Sequence, residues 1–336
     1  MGCFMIHLRE SKGRIGLCYA GALVLLVGSS MLGILLGATR LDPGMLLKGL
    51  DSPDGKILLF VRIPRVLGSL LCGAALAVAG AVIQGVLANR LASPSIIGVN
   101  AGAGLAVTVC AALGIAGGWR LSLFAFLGAF TAVMAVSLGA KKWGASRGTV
   151  ILIGVAMNTL LGAVSDALAV LVPEVSVMRG DFKIGDLSGA TYPKLLPAAV
   201  IIGAAIIVLL TLSNELEVLT LGDENAKGLG MDTGLMRTLF LILAAALSGA
   251  AVSVAGLLSF VGLLVPHGIR RIASGEARHL LPLCALFGGG FVTLCDTLSR
   301  WIFAPYELPV GILMAALGAP FFLAILLKGK GGAHRA

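Results

Sequence analysis

The octapeptide GAALAVAG at Gly73–Gly80 returns as GAAVSVAG at Gly249–Gly256, with six of eight positions identical. Each copy has an arginine shortly before it, Arg65 and Arg237, and a further Gly-bearing apolar stretch after it. Runs of Gly and Ala let helix backbones approach closely where lipid, not water, surrounds them. Shared spacing and shared flanks make the two runs copies of one ancestral unit, with Gly73, Gly80, Gly249 and Gly256 as its packing positions.

The surroundings of that repeat set the class. Hydrophobic residues are 58% of 336 and charged residues 12%, and the mean hydropathy is +1.03, so apolar segments recur from end to end. A water-soluble fold could not cover that much apolar surface. The formal charge of +9 does not indicate nucleic acid, because Lys and Arg sit in short links between apolar runs and no basic face carries interleaved aromatics. Six cysteines are scattered through apolar runs without a CxxC pair and read as small buried hydrophobes.

About 20 apolar residues cross a bilayer as a helix. Ten stretches qualify, at 15–37, 63–87, 95–116, 120–140, 149–172, 193–212, 236–256, 258–271, 280–303 and 308–328, of which the eighth is short. The chain reads as a single all-α membrane domain over 1–336. It has an N-terminal segment 1–14, a polar loop 213–235 and a tail 329–336, all expected in the cytoplasm. This orientation puts fifteen of the 25 basic residues inside, as the positive-inside rule requires. The octapeptide helices are then the second and seventh spans, five steps apart, so the copies run in opposite directions. That is an inverted five-plus-five repeat.

Prolines 64, 94, 266, 309 and 320 fall at or near span ends, and Gly98 and Gly102 make a small-residue face at the start of the third span. Irregular backbone at membrane depth survives only against protein or a water-filled cavity, which favours a transporter over an anchor. Asp166 and Asp296 are the clearest ionisable groups within spans. A proton- or sodium-driven carrier needs titratable or ion-coordinating groups near mid-membrane, normally more than these two isolated acids, which lie close to span ends. The alternative of an ion-coupled secondary transporter is therefore the weaker one. No GxxxxGK[ST] phosphate loop occurs, so the chain binds no ATP, metal or other cofactor of its own, and ATP with its Mg is expected on a separate subunit. The segment SNELEVLTLGDENAKGLGMD (Ser213–Asp232) suits such a partner: Asn214 can cap a short turn, and Gly222, Gly228 and Gly230 bracket a second short helix.

These residues bring a family into view. RIPRVLGSLLCGAALAVAGAVIQGVLANRLASPSIIGVNAGAG (Arg62–Gly104) resembles the opening signature of the FecCD-type permeases, the membrane subunits of bacterial ABC importers for ferric siderophores, haem and cobalamin. LGDENAKGLGMD (Leu221–Asp232), SVAGLLSFVGLLVPHGIRRI (Ser253–Ile272) and ELPVGILMAALGAPFFLAILL (Glu307–Leu327) match in order. The resemblance implies the type II importer architecture of ten helices, in the bacterial cytoplasmic membrane with both termini inside. It further implies a homodimer, two ATP-binding subunits and an extracytoplasmic substrate-binding protein, and no catalysis by this chain. It makes Gly222, Asp223, Glu224, Ala226, Lys227, Leu229 and Gly230 the element that couples to the ATPase. It also makes Arg62, Arg65 and Arg300 the residues that grip acidic groups of the binding protein, a task that suits the planar guanidinium fork.

Other positions are less specific. Pro266-His267 forms the family's VPH pattern, and His267, lacking a second ligand nearby, reads as a structural hydrogen-bonding group. Gln84, Asn100 and Asn158 either line the path or bond across helices; Pro309 opens the last span. Two departures from the family pattern occur: Asn89-Arg90-Leu91 followed by Pro94 where relatives carry Asn-Pro, and an outer turn reading GDLSGA (Gly185–Ala190). Ferric siderophore is the first expectation for the ligand, with haem or cobalamin next.

Overall fold

The structure is a computed structural model that describes residues 2–37, 39, 52–115, 118–142, 147–273 and 275–330. Every element among them is helical: α1 (Gly2–Leu35), α2 (Pro53–Ile57), α3 (Ile63–Val86), α4 (Val99–Ala112), α5 (Gly118–Lys142), α6 (Arg147–Leu171) and α7 (Val175–Ile184). The second half holds α8 (Tyr192–Thr211), α9 (Ser213–Thr220), α10 (Asp223–Gly228), α11 (Thr233–Ala255), α12 (Val261–Ile272), α13 (Ala277–Ile302) and α14 (Val310–Lys330). Each expected span coincides with one helix. Seven are long and apolar enough to cross a bilayer by length and composition, α4 and α14 are shorter apolar helices, and the eighth span is the 12-residue α12. Residues 331–336 of the expected tail lie outside the described residues.

Helix α1 begins at Gly2, thirteen residues before the expected first span, and two further span starts differ for local reasons. The second span starts ten residues early, because α2 runs into α3 through a π-helical turn, Leu58–Arg62, whose last bond joins Ile63 N–H to Leu58 O. A wide turn there accommodates Pro64, which has no N–H and would crowd the carbonyl four residues back. The third span is only α4, since residues 89–98 form turns that end on Gly98 at φ +98°. Prolines 266 and 320 lie inside α12 and α14 rather than at span ends.

The core is built on α3, α11 and α13. In their apolar windows 78%, 67% and 67% of residues are buried, against 11% for α1 and 17% for α6, so the first three form the centre and the last two face outward. Helix α3 lies antiparallel to α13: Arg65 meets Asp296, Ser69 Oγ lies 2.8 Å from Thr293 Oγ1, and Gly73 rests on the backbone of Gly288. Helix α11 lies on α5, with Gly249 against Phe126 and Ala129. Both octapeptides therefore pack on the fourth span-forming helix of the opposite half.

The two copies also oppose one another in direction. Helix α3 ends with Gly85 beside Leu216 of α9, and α11 begins beside α10 through an Arg237–Asp223 ion pair. At the other end Arg65, near the start of α3, approaches Asp186, whose N–H donates to Ala255 O at the end of α11. The inverted repeat is thus present in the packing. It extends to the short helices, since α4 and α12 each begin on a left-handed residue, Gly98 and Phe260 (φ +67°). Twelve residues of α12 span about 18 Å, well short of a bilayer's hydrocarbon core; the non-helical stretch Gly256–Phe260 covers part of the remainder.

Glycine at the close contacts is a steric requirement. A Cβ at Gly73 would overlap Gly288 O and one at Gly80 would overlap Gly262 O, whereas one at Gly203 of α8 would meet nothing within 4 Å. Overpacking of this kind costs on the order of 1–3 kcal/mol or more, because backbone cannot rotate away. Gly80→Ala is expected to lower stability by at least about 2 kcal/mol, and Gly203→Ala to leave it within about 1 kcal/mol. Thermal unfolding in one detergent, followed by the surviving monodisperse fraction, compares the two.

Candidate functional site

At one end of the bundle the segment expected to couple folds as α9 and α10, then turns into α11. Leu216, Leu219 and Ala226 are buried against the bundle, while Leu221, Glu224, Lys227 and Leu229 are exposed. Asn214 lies within α9 and caps nothing; the junction is closed instead by Asn225 Nδ2, which donates to Leu221 O at 2.9 Å. Gly222 (φ +106°) and Gly230 (φ +84°) adopt backbone that side-chain-bearing residues avoid. An ion pair, a hydrogen bond from backbone to carboxylate and a cap anchor the element. Asp223 accepts from Arg237 Nη2 at 2.7 and 2.8 Å, Glu217 Oε2 accepts from Ala277 N–H at the start of α13, and Asp232 Oδ1 caps α11.

Behind this element Gln84 does specific work. Pro266 has no N–H, so the carbonyl of Gly262, four residues earlier in α12, lacks its helical donor. Gln84 Nε2 supplies that bond at 3.0 Å, and its Oε1 accepts from Arg270 Nη1 on the same helix. Gly80, one turn earlier in α3, leaves the space that lets Gly262 come so close. Asn158 acts likewise in the other half: its Nδ2 donates to Ser95 O (2.8 Å) and Ile96 O (3.2 Å) in the turns before α4. Of the two sequence readings for these amides, the geometry gives bonding across helices.

At the opposite end the three arginines are almost wholly buried, with 3%, 3% and 2% exposure for Arg62, Arg65 and Arg300. Their partners lie within the chain. Arg62 donates to the carbonyls of Ile34, Leu35 and Thr39, and Arg300 Nη2 to Gly33 O, so two guanidinium groups close the carbonyl end of α1. Arg65 Nε donates to Asp296 at 3.0 and 3.2 Å, its Nη1 to Glu307 Oε2 at 2.6 Å, and Arg300 Nε lies 3.1 Å from Asp296 Oδ2. Arg65 Nη2 is buried without a hydrogen bond, 3.8 Å from Asp186. Glu307 and Asp186 are the half-exposed members of this network.

The sequence reading did not find Asp186, Glu307 and Arg270 as partners, because contacts between residues more than a hundred positions apart leave no local pattern. Asp166 pairs with Arg179 of α7. Asn100 is half-buried in the first turn of α4, His267 half-buried in α12 among the charges of Arg90, Arg270 and Arg271, and Pro309 precedes α14. Among the described residues no three His, Cys, Asp or Glu side chains converge as a metal site.

Comparison with known proteins defines the class. Residues 24–328 match the FecCD transport family, and the chain belongs to it. It is 36% identical to the Fe(3+)-citrate import system permease protein YfmD of Bacillus subtilis, over 96% of this chain and 97% of that protein. It is 36% identical to the hemin transport system permease protein HmuU of Yersinia pestis (82% and 84%), and 38% to the cobalamin import system permease protein BtuC of Halobacterium salinarum (79% and 72%). Among solved structures, a metal-chelate type ABC transporter in an inward-facing conformation superposes with a TM-score of 0.83 at 29% identity, over 93% of this chain and 99% of that one. The chain is an integral membrane permease subunit of the ABC importer class.

The bond between Gln84 and Gly262 O can be isolated by a paired substitution. Gln84→Leu leaves a buried carbonyl unmet and is expected to cost about 1–3 kcal/mol, while Pro266→Ala restores an N–H four residues from that carbonyl. The double variant should recover most of the loss in detergent melts. At the other end Asp296→Asn, which strips two buried arginines of their shared carboxylate, is expected to cost about 3–5 kcal/mol. Glu307→Gln, on a half-exposed pair, should stay within about 1 kcal/mol.

Proposed function

We propose that this permease carries a ferric chelate, with haem or cobalamin as the next ligand classes, across a bacterial cytoplasmic membrane with both termini inside. The relatives named for iron-citrate, hemin and cobalamin import support that ligand class. The working assembly proposed is two copies of this chain, two ATP-binding subunits that hold ATP and Mg, and an extracytoplasmic binding protein that delivers the ligand. The chain itself catalyses no reaction.

The observation that carries the coupling role is the α9–α10 element. It is bound to the bundle by Ala226, Asp223 and Glu217 and turns Leu221, Glu224, Lys227 and Leu229 outward. An ATPase seated there would press on a part that cannot move without moving α11. At the far end, docking of the binding protein would proceed through the face that carries Glu307 and Asp186, with an incoming carboxylate taking a place on Arg65. Because Arg62 and Arg300 also close α1, reversing their charge disturbs the fold together with any docking.

Reconstitution tests the reading. In proteoliposomes containing the cognate ATPase, uptake of a ferric chelate delivered by its binding protein is expected only with ATP. Replacing residues 222–230 by a flexible linker should abolish uptake while leaving the assembled dimer intact. Uptake that proceeds without ATP, or survives the replacement, overturns the proposal.

A further inference from the structure

A cleft of about 320 Å³ opens beside the coupling element, between the end of α3, α9 and the junction of α12 with α13. Gln84, Arg90, Glu217, Thr220 and Arg270 are its polar lining, and Leu216 and Leu280 are among its apolar walls.

Two guanidinium groups meet there. Arg270 is half-buried and held in place by Gln84 Oε1, while the Gln84 amide is itself fixed by Gly262 O. Arg90 is exposed on the turn after α3, and that turn is firmly built. Asn89 N–H bonds Gln84 O, Ala88 N–H bonds Gly85 O with Ala88 at φ +46°, and Leu91 N–H donates to Asn89 Oδ1. This is a Schellman end in which an alanine takes the left-handed position usually given to glycine. Arg90 and Arg270 line the same cleft, where the positive charge of Arg90 acts on Arg270. Among the described residues the ion pairs engage Arg65, Arg179, Arg237 and Arg300, and no carboxylate pairs with Arg90 or Arg270. Glu217, the one acid in the lining, has Oε2 bonded to the N–H of Ala277.

Like charges brought together on preorganised supports, without an intervening acid, form a receiver for an oxyanion. The fork of each arginine matches phosphate oxygens in a bidentate way. We propose that the cleft is a phosphate site. Basic pockets between membrane helices hold phospholipid headgroups, and this cleft of about 320 Å³ has room for one. Glu217 on the same lining favours a phosphate that carries an ammonium or hydroxyl group, as a headgroup phosphodiester does. The shared chemistry is the phosphate, and the source, lipid or free ion, is separable by experiment. The site does not rest on the transport reading, although Glu217 serves both the cleft and the anchoring of the coupling element.

The test uses the full chain, delipidated in a maltoside detergent, and native mass spectrometry. Phosphatidylethanolamine, phosphatidylglycerol and inorganic phosphate are added in separate arms. The unaltered protein is expected to retain one phospholipid, and Arg90→Ala, which removes no hydrogen bond or ion pair among the described residues, to lower that occupancy about tenfold. Arg270→Gln should do the same. Arg120→Ala, whose guanidinium stacks on Trp119 away from the cleft, should leave it unchanged. Retention of inorganic phosphate but of neither lipid, lost in Arg90→Ala, supports the site and assigns it to the free ion. Occupancy that is equal in the unaltered protein and Arg90→Ala for all three probes overturns the proposal, as does an equal loss in Arg120→Ala.

Discussion

Backbone carbonyls without water govern this structure. In hydrocarbon an unmet C=O costs several kcal/mol, and the fold interrupts its helices at several depths. Three of these interruptions are met by side-chain donors from elsewhere in the chain, and the break after α11 by the backbone N–H of Asp186. Arg62 and Arg300 close the end of α1, Gln84 bonds the carbonyl that Pro266 releases in α12, and Asn158 bonds the turns before α4. The polar residues that looked out of place in apolar spans are therefore the ones that make broken helices tolerable. Asp296, with no exposed surface, is acceptable for a related reason, since it shares two arginines that have their own duties nearby.

Small residues provide the complementary half of the design. Without a hydrophobic drive between helices in lipid, association depends on close van der Waals contact and on interhelical hydrogen bonds. Gly73 on Gly288, Gly80 on Gly262 and Gly102 on Gly128 bring backbones together directly. Gly80 and Gln84 show the two devices acting as one: the first admits α12, and the second, a turn later, bonds it. Because the repeat is inverted, contacts of this kind recur on both sides of the centre with different chemistry. The repeat preserved the packing surface of Gly249 but not the partners of its arginine, since Arg65 joins α13 and the turn before α14 whereas Arg237 joins α10.

Much of the architecture was legible in the sequence because its determinants are local or periodic. Apolar length gave every span-forming helix, and the octapeptide gave two of the three central ones and their opposition. The Gly222 and Gly230 bracket gave α10, since left-handed backbone leaves a trace in residue type. What stayed hidden was pairing at long range. Three arginines near one face suggested an outward task, and only the fold reveals that their acids and carbonyls come from α1, α13 and two separate turns. Asn214 looked like a cap because of its type, but α9 follows α8 so closely that Leu212 occupies the capping position. Arg270 carried no signal at all, because its value depends on Gln84 lying across from it.

Helix α11 runs for 23 residues, about 35 Å, and is fastened at both extremities. Its first turn is salt-linked to α10 by Arg237, and its last carbonyl, Ala255 O, is bonded by Asp186, which faces Arg65. It is a strut with a clamp on each end. One rod thus carries both contacts, so a rigid shift of α11 along its axis would alter the Arg237–Asp223 pair and the Asp186–Ala255 bond together.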